Sequence, residues 1–272
     1  MPCPHCCSAK TTERSDRTAH GYRRFRCRGC RRGFNERTGS LLNRLQLPTD
    51  VVFLIVLWRL RMKLSLRDLA EILLLRGLVF SHEAIRDWEA RLAPLFTDAL
   101  RKRHKGKAGR SWYVDETYIK VAGQWQYLYR AIDRDGNLVD VYLSETRDQE
   151  AAEALFRSAV AVTGTTPDKV TTDQHASYPP ALDKVFCDDL EHRTSKYLNN
   201  HLEQDHRAVK GRYQPMRGFQ THTSAARFCR AHDEVRDFFR PATRRKEYVP
   251  AARRRAIYVQ RVAALRDMLA VA

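Results

Sequence analysis

The chain has 272 residues, of which 43% are hydrophobic and 10% aromatic, a composition typical of a folded globular protein with one substantial core. Its formal net charge of +17 is larger than solubility requires and favours nucleic acid as a partner. The competing partner, a membrane surface, lacks support because the longest apolar run, Val51–Trp58, is too short to span a bilayer. No signal peptide precedes the first cysteines, so we expect a cytoplasmic protein without a membrane partner.

The first forty residues are rich in cysteine and arginine and poor in apolar residues. Two Cys-x-x-Cys pairs lie twenty residues apart, namely Cys3, Cys6, Cys27 and Cys30. Four thiolates at this spacing are typical of a closed, structural zinc site, and a segment with so little core needs such a metal to fold. Redox pairs are the alternative, and Cys7 could replace Cys6, with His5 as a weaker substitute. We predict a zinc ribbon over residues 1–40, whose many arginines favour binding to nucleic acid.

Residues 41–100 are strongly apolar at helical spacing. Two segments, 64–77 and 81–96, are separated by a short break and resemble a helix-turn-helix. The residues that support this interpretation are the helix caps Ser65 and Ser81 and, on the first turns of the second helix, Arg86. A pair of packed helices without a DNA-binding role has the same spacing, so that alternative stays open.

A basic, glycine-containing stretch, 101–110, is the predicted linker to the next part of the chain. Beyond it, alternating runs predict a three-strand meander and then alternating helices and strands. The predicted strands are 111–121, 124–133, 138–145, 168–173 and 190–198, and the predicted helices are 148–162, 179–186 and 199–212. This order indicates an α/β fold with a mixed sheet flanked by helices. Residues 241–272 are arginine-rich with weak periodicity and are predicted to be a basic tail.

Three acidic residues in this region suit metal-dependent chemistry on a phosphodiester. Asp115 lies within a predicted central strand, where an unpaired carboxylate is costly, and Asp173 follows a second strand. Glu203 lies on a predicted helix, with Asp205 as a weaker candidate. Oxygen ligands of this kind prefer Mg²⁺ or Mn²⁺. Taken singly, Asp173 could be a turn residue and Glu203 a surface ion pair.

The motifs WYVDETY, TTDQHASY and LNNHLEQDHR, after a Cys-x-x-Cys ribbon, resemble the bacterial DDE insertion-sequence transposases of the cointegrate-forming group, the insertion sequence 6 type family. The resemblance implies a ribonuclease H-like, retroviral-integrase-like catalytic core over 111–240. It also implies a catalytic triad of Asp115, Asp173 and Glu203 that holds two Mg²⁺ or Mn²⁺ ions. Two departures are a short interval between the last two acids and a tail without a family motif.

By the same resemblance, Lys210 matches a basic residue that contacts DNA seven positions after the glutamate. The other phosphate contacts expected near it are Arg207, Arg212 and Arg217. The implied reaction cleaves at the ends of the element to free a 3′-OH and joins it to target DNA by two-metal phosphoryl transfer. The implied partners are double-stranded DNA, as terminal repeats and as target, and a second copy in a homodimer or larger assembly.

Three other functions remain alternatives at this point. A ribonuclease H-like nuclease would use the same acids but would not join strands. A non-catalytic DNA-binding regulator would need only the ribbon and the helix-turn-helix. A zinc-dependent hydrolase would need histidine ligands at helical spacing, which HLEQDH only faintly suggests.

Overall fold

The computed structural model describes residues 1–186, 190–195, 200–216, 218–244 and 246–270, without the side chains of 200–205 and 270. The chain begins with a small antiparallel sheet of β1 (Thr11–Arg17), β2 (Arg23–Cys27) and β3 (Gly33–Asn35). Phe25 and Phe34 stack with ring centroids 5.3 Å apart and pack with two cysteines. So small an apolar cluster cannot by itself stabilise this sheet.

Three helices follow, and both segments of the predicted helix-turn-helix are helical. They are α1 (Thr49–Arg61), α2 (Leu66–Leu74) and α3 (His82–Arg101). Ser65 Oγ accepts a hydrogen bond from the Asp68 N–H while the Asp68 carboxylate accepts from the Ser65 N–H, which forms a reciprocal capping box. Ser81 Oγ accepts from the Ala84 N–H. The predicted caps are therefore confirmed.

The second half of the chain is built around a five-stranded mixed sheet. Its strands are β4 (Ser111–Val121), β5 (Gln124–Asp133), β6 (Leu138–Ser144), β7 (Lys169–Thr172) and β8 (Glu191–Thr194). They lie in the order β6-β5-β4-β7-β8, with β4, β5 and β6 antiparallel and β4, β7 and β8 parallel. A meander followed by two parallel strands confirms the predicted mixed sheet of the ribonuclease H-like class.

Helices cover both faces of this sheet. They are α4 (Gln149–Thr163), α5 (Tyr178–Val185), α6 (Asn200–Tyr213) and α7 (His222–Phe238). The last helix, α8 (Ala251–Ala270), packs against α3. One face, with Trp112 and Val114, packs against α4 and α5. In the described ranges, no helix is both long and apolar enough to cross a membrane.

The opposite face of the sheet shares one core with the N-terminal helices. Ile119 and Leu128 of the sheet belong to the same buried cluster as Leu57 of α1 and Phe96 of α3, and α7 completes it with Phe228. The predicted domain boundary at 101–110 stays a prediction. Within that stretch, however, His104 is held in place, because its Nδ1 lies 2.9 Å from the Leu138 carbonyl and its Nε2 lies 2.8 Å from the Glu234 carboxylate.

The tail differs from the prediction, because α8 occupies most of it. Leu265 is fully buried, and Tyr258, Val262 and Leu269 pack against the main core. Tyr258 meets Phe239 with ring centroids 5.3 Å apart. These apolar positions follow a helical spacing of four, three and four residues, but the surrounding arginines masked the pattern.

Several ion pairs are buried between the sheet and the helices behind it. Asp140 in β6 has no exposed surface and accepts from Arg101 Nη1 at 2.5 Å. Arg130 Nε in β5 lies 3.2 Å from the Asp233 carboxylate in α7. Removing one partner of such a pair leaves the other charge buried without compensation.

Asp140→Ala is therefore expected to lower the free energy of unfolding by about 3 kcal/mol, since it removes the nearest partner of the Arg101 guanidinium and leaves it only the more distant Glu234 and the Ser158 hydroxyl. Urea denaturation followed by circular dichroism measures this change. Asp98→Ala on the exposed surface of α3 is the matched control and should alter stability far less. A loss for Asp140→Ala as small as that of the control would contradict the prediction.

Candidate active site

The sheet places Asp115 beside Asp173. Strands β4 and β7 are parallel, with Tyr113 opposite Thr171. Two positions further along each chain, Asp115 and Asp173 are therefore neighbours on the same face of the sheet. Carboxylate oxygens of these two residues and of Glu116 all lie within 4.8 Å of one another. Two of the three acids predicted from the sequence are thus brought together.

Asp115 is a partly buried carboxylate that, among the described side chains, has no lysine or arginine in contact. Its Oδ1 accepts from the Glu116 N–H at 2.9 Å, and the Nδ1 of His206 lies 4.0 Å from its Oδ2. Burial, together with repulsion from Glu116 and Asp173, raises the pKa of Asp115 to about 7. A divalent cation beside Asp115 would remove this electrostatic cost, so Asp115 is well suited to act as a metal ligand.

Glu116 differs from its two neighbours because its charge is already compensated. Arg147 forms an ion pair with it, and the Tyr178 hydroxyl donates to its Oε2. Arg147 Nη2 also lies 3.2 Å from Asp173 Oδ2 and so links the two carboxylates. Sequence reasoning missed Arg147 and Tyr178, since nothing local marks residues that meet Glu116 only through the tertiary fold.

Asp173 has two roles that seemed to be alternatives. Its Oδ1 accepts from the His175 N–H at 3.0 Å, as a turn aspartate does. Its other oxygen lies in the acidic cluster. His175 is bound to its own turn, with Nδ1 2.8 Å from Ser177 Oγ, which indicates a structural histidine.

The third predicted acid, Glu203, is in α6, a helix as the sequence predicted, but its side chain lies outside the described residues. The same helix carries His206, which is buried next to Asp115, and Val209, which is buried in the main core. Helix α6 is therefore fixed against the sheet close to the acidic cluster.

The four predicted zinc ligands also come together. The Sγ atoms of Cys3 and Cys30 are 3.7 Å apart, those of Cys6 and Cys27 are 3.6 Å apart, and all four lie within 4.8 Å. Sulfurs around tetrahedral zinc, with Zn–S of about 2.3 Å, are separated by about 3.8 Å, whereas a disulfide needs about 2.05 Å. The Cys30 N–H lowers the pKa of Cys27 to about 6, which favours the thiolate. The set fits a divalent metal, and exposed Cys7 is not part of it.

Comparisons with known proteins agree with this geometry. A family model described as a DDE domain matches residues 109–242, which contain the sheet and its acids. A transposase for insertion sequence-like element IS431mec from Staphylococcus aureus is 42% identical over 175 residues, covering 61% of this chain and 75% of the relative. A transposase for insertion sequence element IS257 in transposon Tn4003, also from Staphylococcus aureus, matches equally well. The chain belongs to the insertion sequence 6 type family of DDE transposases.

Solved structures resemble the transposase more distantly. The HTLV-2 integrase catalytic core domain in complex with magnesium, in its dimeric form, has a TM-score of 0.32 and 17% identity, over 39% of this chain and 71% of that chain. A simian T-cell lymphotropic virus intasome in complex with PP2A regulatory subunit B56 gamma has a TM-score of 0.37 and 15% identity, over 47% and 49%.

The basic residues of the transposase that were predicted to contact DNA have different environments. Arg207 is exposed and Lys210 is half-buried on α6, whereas Arg217 lies outside the described residues. Arg86 is exposed at the start of α3 and pairs with Glu83 on the same turn.

The prediction for Arg212 is wrong in this structure. The side chain is only 3% exposed, and its guanidinium donates to the Arg59 carbonyl at the end of α1. Arg212 lies about 140° around α6 from exposed Arg207 and so faces the protein interior. Desolvation lowers the pKa of Arg212 to about 10. In the transposase this residue joins α6 to α1 and leaves no surface for a phosphate.

Proposed function

We propose that this transposase cleaves DNA at the ends of its element and joins the freed 3′-OH to target DNA. The observation that supports the proposal most directly is the juxtaposition of Asp115 and Asp173, set by the parallel register of β4 and β7. Asp115 is partly buried, and its burial and the repulsion of Glu116 and Asp173 outweigh the attraction of Arg147, so a bound metal would stabilise its charge.

Asp115, Asp173 and Glu203 would hold two Mg²⁺ or Mn²⁺ ions. Oxygen ligands suit these ions, which when bound help to activate the attacking oxygen and stabilise the leaving one. Glu203 precedes His206 by three positions in α6, about one helical turn, and His206 lies beside Asp115. Arg147 would keep Glu116 out of the ligand set and orient Asp173.

Double-stranded DNA would contact basic residues of α6 and α3 and of the segment after α6. Arg207, Lys210 and Arg217 would hold phosphates near the acids, and Arg86 would contact DNA from α3. Binding would weaken steeply as salt rises, because neutralised phosphates release counterions. Since two ends must be joined to one target, the assembly on DNA would be a homodimer or larger.

Residues 1–40 would form a zinc ribbon whose metal has no open coordination position. Four cysteine sulfurs complete a tetrahedral zinc site, so this ion would stabilise the fold and take no part in the reaction. The arginines around it would add phosphate contacts.

The test is a joining assay with the full-length transposase. The purified protein is incubated with Mg²⁺, a labelled duplex of the element's own end and a supercoiled plasmid. Label covalently joined to the plasmid is the expected result. Nicking of the duplex without joining would instead indicate a nuclease, and binding without either product would indicate a DNA-binding regulator.

A further inference from the structure

The hairpin of β4 and β5 exposes aromatic side chains beside the acidic cluster. Tyr118, Trp125 and Tyr127, here called the aromatic platform, lie on the sheet face that α4 and α5 cover elsewhere. Trp125 is 58% exposed and Tyr118 is 43% exposed, although large aromatic side chains are usually buried. In the part of the chain that the structure describes, no helix packs over their outer side.

The rings of the platform support one another. Tyr118 is opposite Tyr127 in the register, with centroids 5.3 Å apart, and it meets Trp125 edge-on at 6.5 Å. Lys120 places its Nζ 5.8 Å from the centre of the Trp125 ring. An aromatic ring next to a cation can bind a ligand that has both a π-face and a negative charge.

The other face of the same hairpin is anchored, which makes the platform rigid. Ile119 and Val121 are buried, and the Phe219 N–H donates to the Lys120 carbonyl at 3.1 Å. The tight turn has positive φ at both Ala122 and Gly123, as a type I′ hairpin requires. The hairpin thus holds its rings in fixed positions.

The platform also lies close to the proposed reaction centre. Tyr118 lies on the face of β4 opposite to Asp115, two positions beyond Glu116, which corresponds to about 7 Å along a strand. The Glu116 carboxylate connects the two faces, because its oxygens lie within 4.8 Å of those of Asp115 and Asp173. Arg147, which contacts Glu116 and Asp173, adds a second cation at this border. A DNA strand bound at the acids could therefore continue past Glu116 onto the platform.

We propose that the aromatic platform stacks unpaired bases of the DNA strand that passes the acidic cluster. The inference rests on the proposed function, because it needs a DNA strand at the acids. Two exposed rings offer less surface than the about 800 Å² per partner of a stable protein interface, which argues against a second copy as the occupant. Stacking tolerates any base, so the platform would hold a strand without selecting its sequence.

The test compares two labelled element-end duplexes, one blunt and one with a short unpaired tail at the cleaved end, in fluorescence anisotropy titrations without Mg²⁺. The wild-type protein should bind the tailed duplex about fivefold or more tightly, the equivalent of one stacked base. Trp125→Ala should lose this preference and Trp125→Tyr should keep most of it. Tyr248→Ala, which removes an 83% exposed ring in the tail region, should leave it unchanged.

Intrinsic fluorescence gives a second readout. Trp88 and Trp112 are buried and Trp58 is half-buried, so quenching by the tailed duplex should come mainly from Trp125 and vanish in Trp125→Tyr. If the wild type bound both duplexes equally and still joined DNA, the proposed role of the platform would be contradicted and the proposed function would not. No joining by the wild type would overturn the proposed function itself. A change of oligomeric state in DNA-free Trp125→Ala would show that the rings contact another copy, which also overturns the platform.

Discussion

Asp115→Asn should reduce joining of element ends to a plasmid by at least about a hundredfold. A bound metal contributes several kcal/mol to such a reaction, and each 1.4 kcal/mol is a factor of ten in rate. The neutral amide has nearly the shape of the carboxylate but is a much weaker ligand. The joining assay with Mg²⁺ measures the loss directly.

The same variant should not be less stable than the wild type. Burial and two neighbouring carboxylates raise the pKa of Asp115 to about 7. Above that pH Asp115 is ionised in the metal-free fold, and its charge then destabilises the folded state to the full extent. Removing the charge relieves that repulsion, so the Tm at pH 8 in EDTA should be unchanged or higher.

Asp98→Asn, at an exposed position in α3, is the control for joining. A variant that joins DNA normally would show that Asp115 is not a ligand.

Cys27→Ser should abolish zinc binding and, with it, tight binding of element ends. Apparent free energies for structural zinc in small domains are about 10–16 kcal/mol, far more than the few apolar contacts around Phe25 and Phe34 supply. Mass spectrometry of metals should find one zinc per wild-type chain and none in the variant. Anisotropy titrations should show weakened binding, while the sheet of the second half remains folded.

Cys7→Ser is the matched control for this experiment. Cys7 is exposed and lies outside the four-sulfur cluster, so its replacement should retain zinc and DNA binding. Zinc lost from Cys7→Ser and kept in Cys6→Ser would assign Cys7 as the ligand. Zinc retained by Cys27→Ser would contradict the tetrahedral site altogether.

Local signals predicted much of the fold. Strands β4 and β5 were predicted with their observed ends, because alternating side chains flank a tight turn of two residues with positive φ. Ser65 and Ser81 identified helix starts for a similar reason, since an N-cap depends on neighbours only three residues away. Parallel pairing of β4 with β7 then brought Asp115 to Asp173.

What the sequence did not reveal depends on contacts between distant parts of the chain. The charge of Glu116 is compensated by Arg147 and by Tyr178, and neither partner is adjacent to it in the sequence. Arg212 is an arginine in a basic segment, which is typical of a phosphate contact. Its side of α6, however, is covered by α1. The apolar residues of α8 do have helical spacing, but they lie among so many arginines that the sequence did not predict the helix.

The core that α1 and α3 share with the catalytic sheet bears on how such enzymes can diversify. Ile119 and Leu128 would be exposed to water if the helices were removed. A fragment limited to 111–240 would therefore expose an apolar surface and tend to aggregate. Grafting another relative's first hundred residues would require compensating changes on the sheet as well. Exchange of whole gene segments between relatives is therefore restricted, and gradual substitution at exposed positions is the easier evolutionary route.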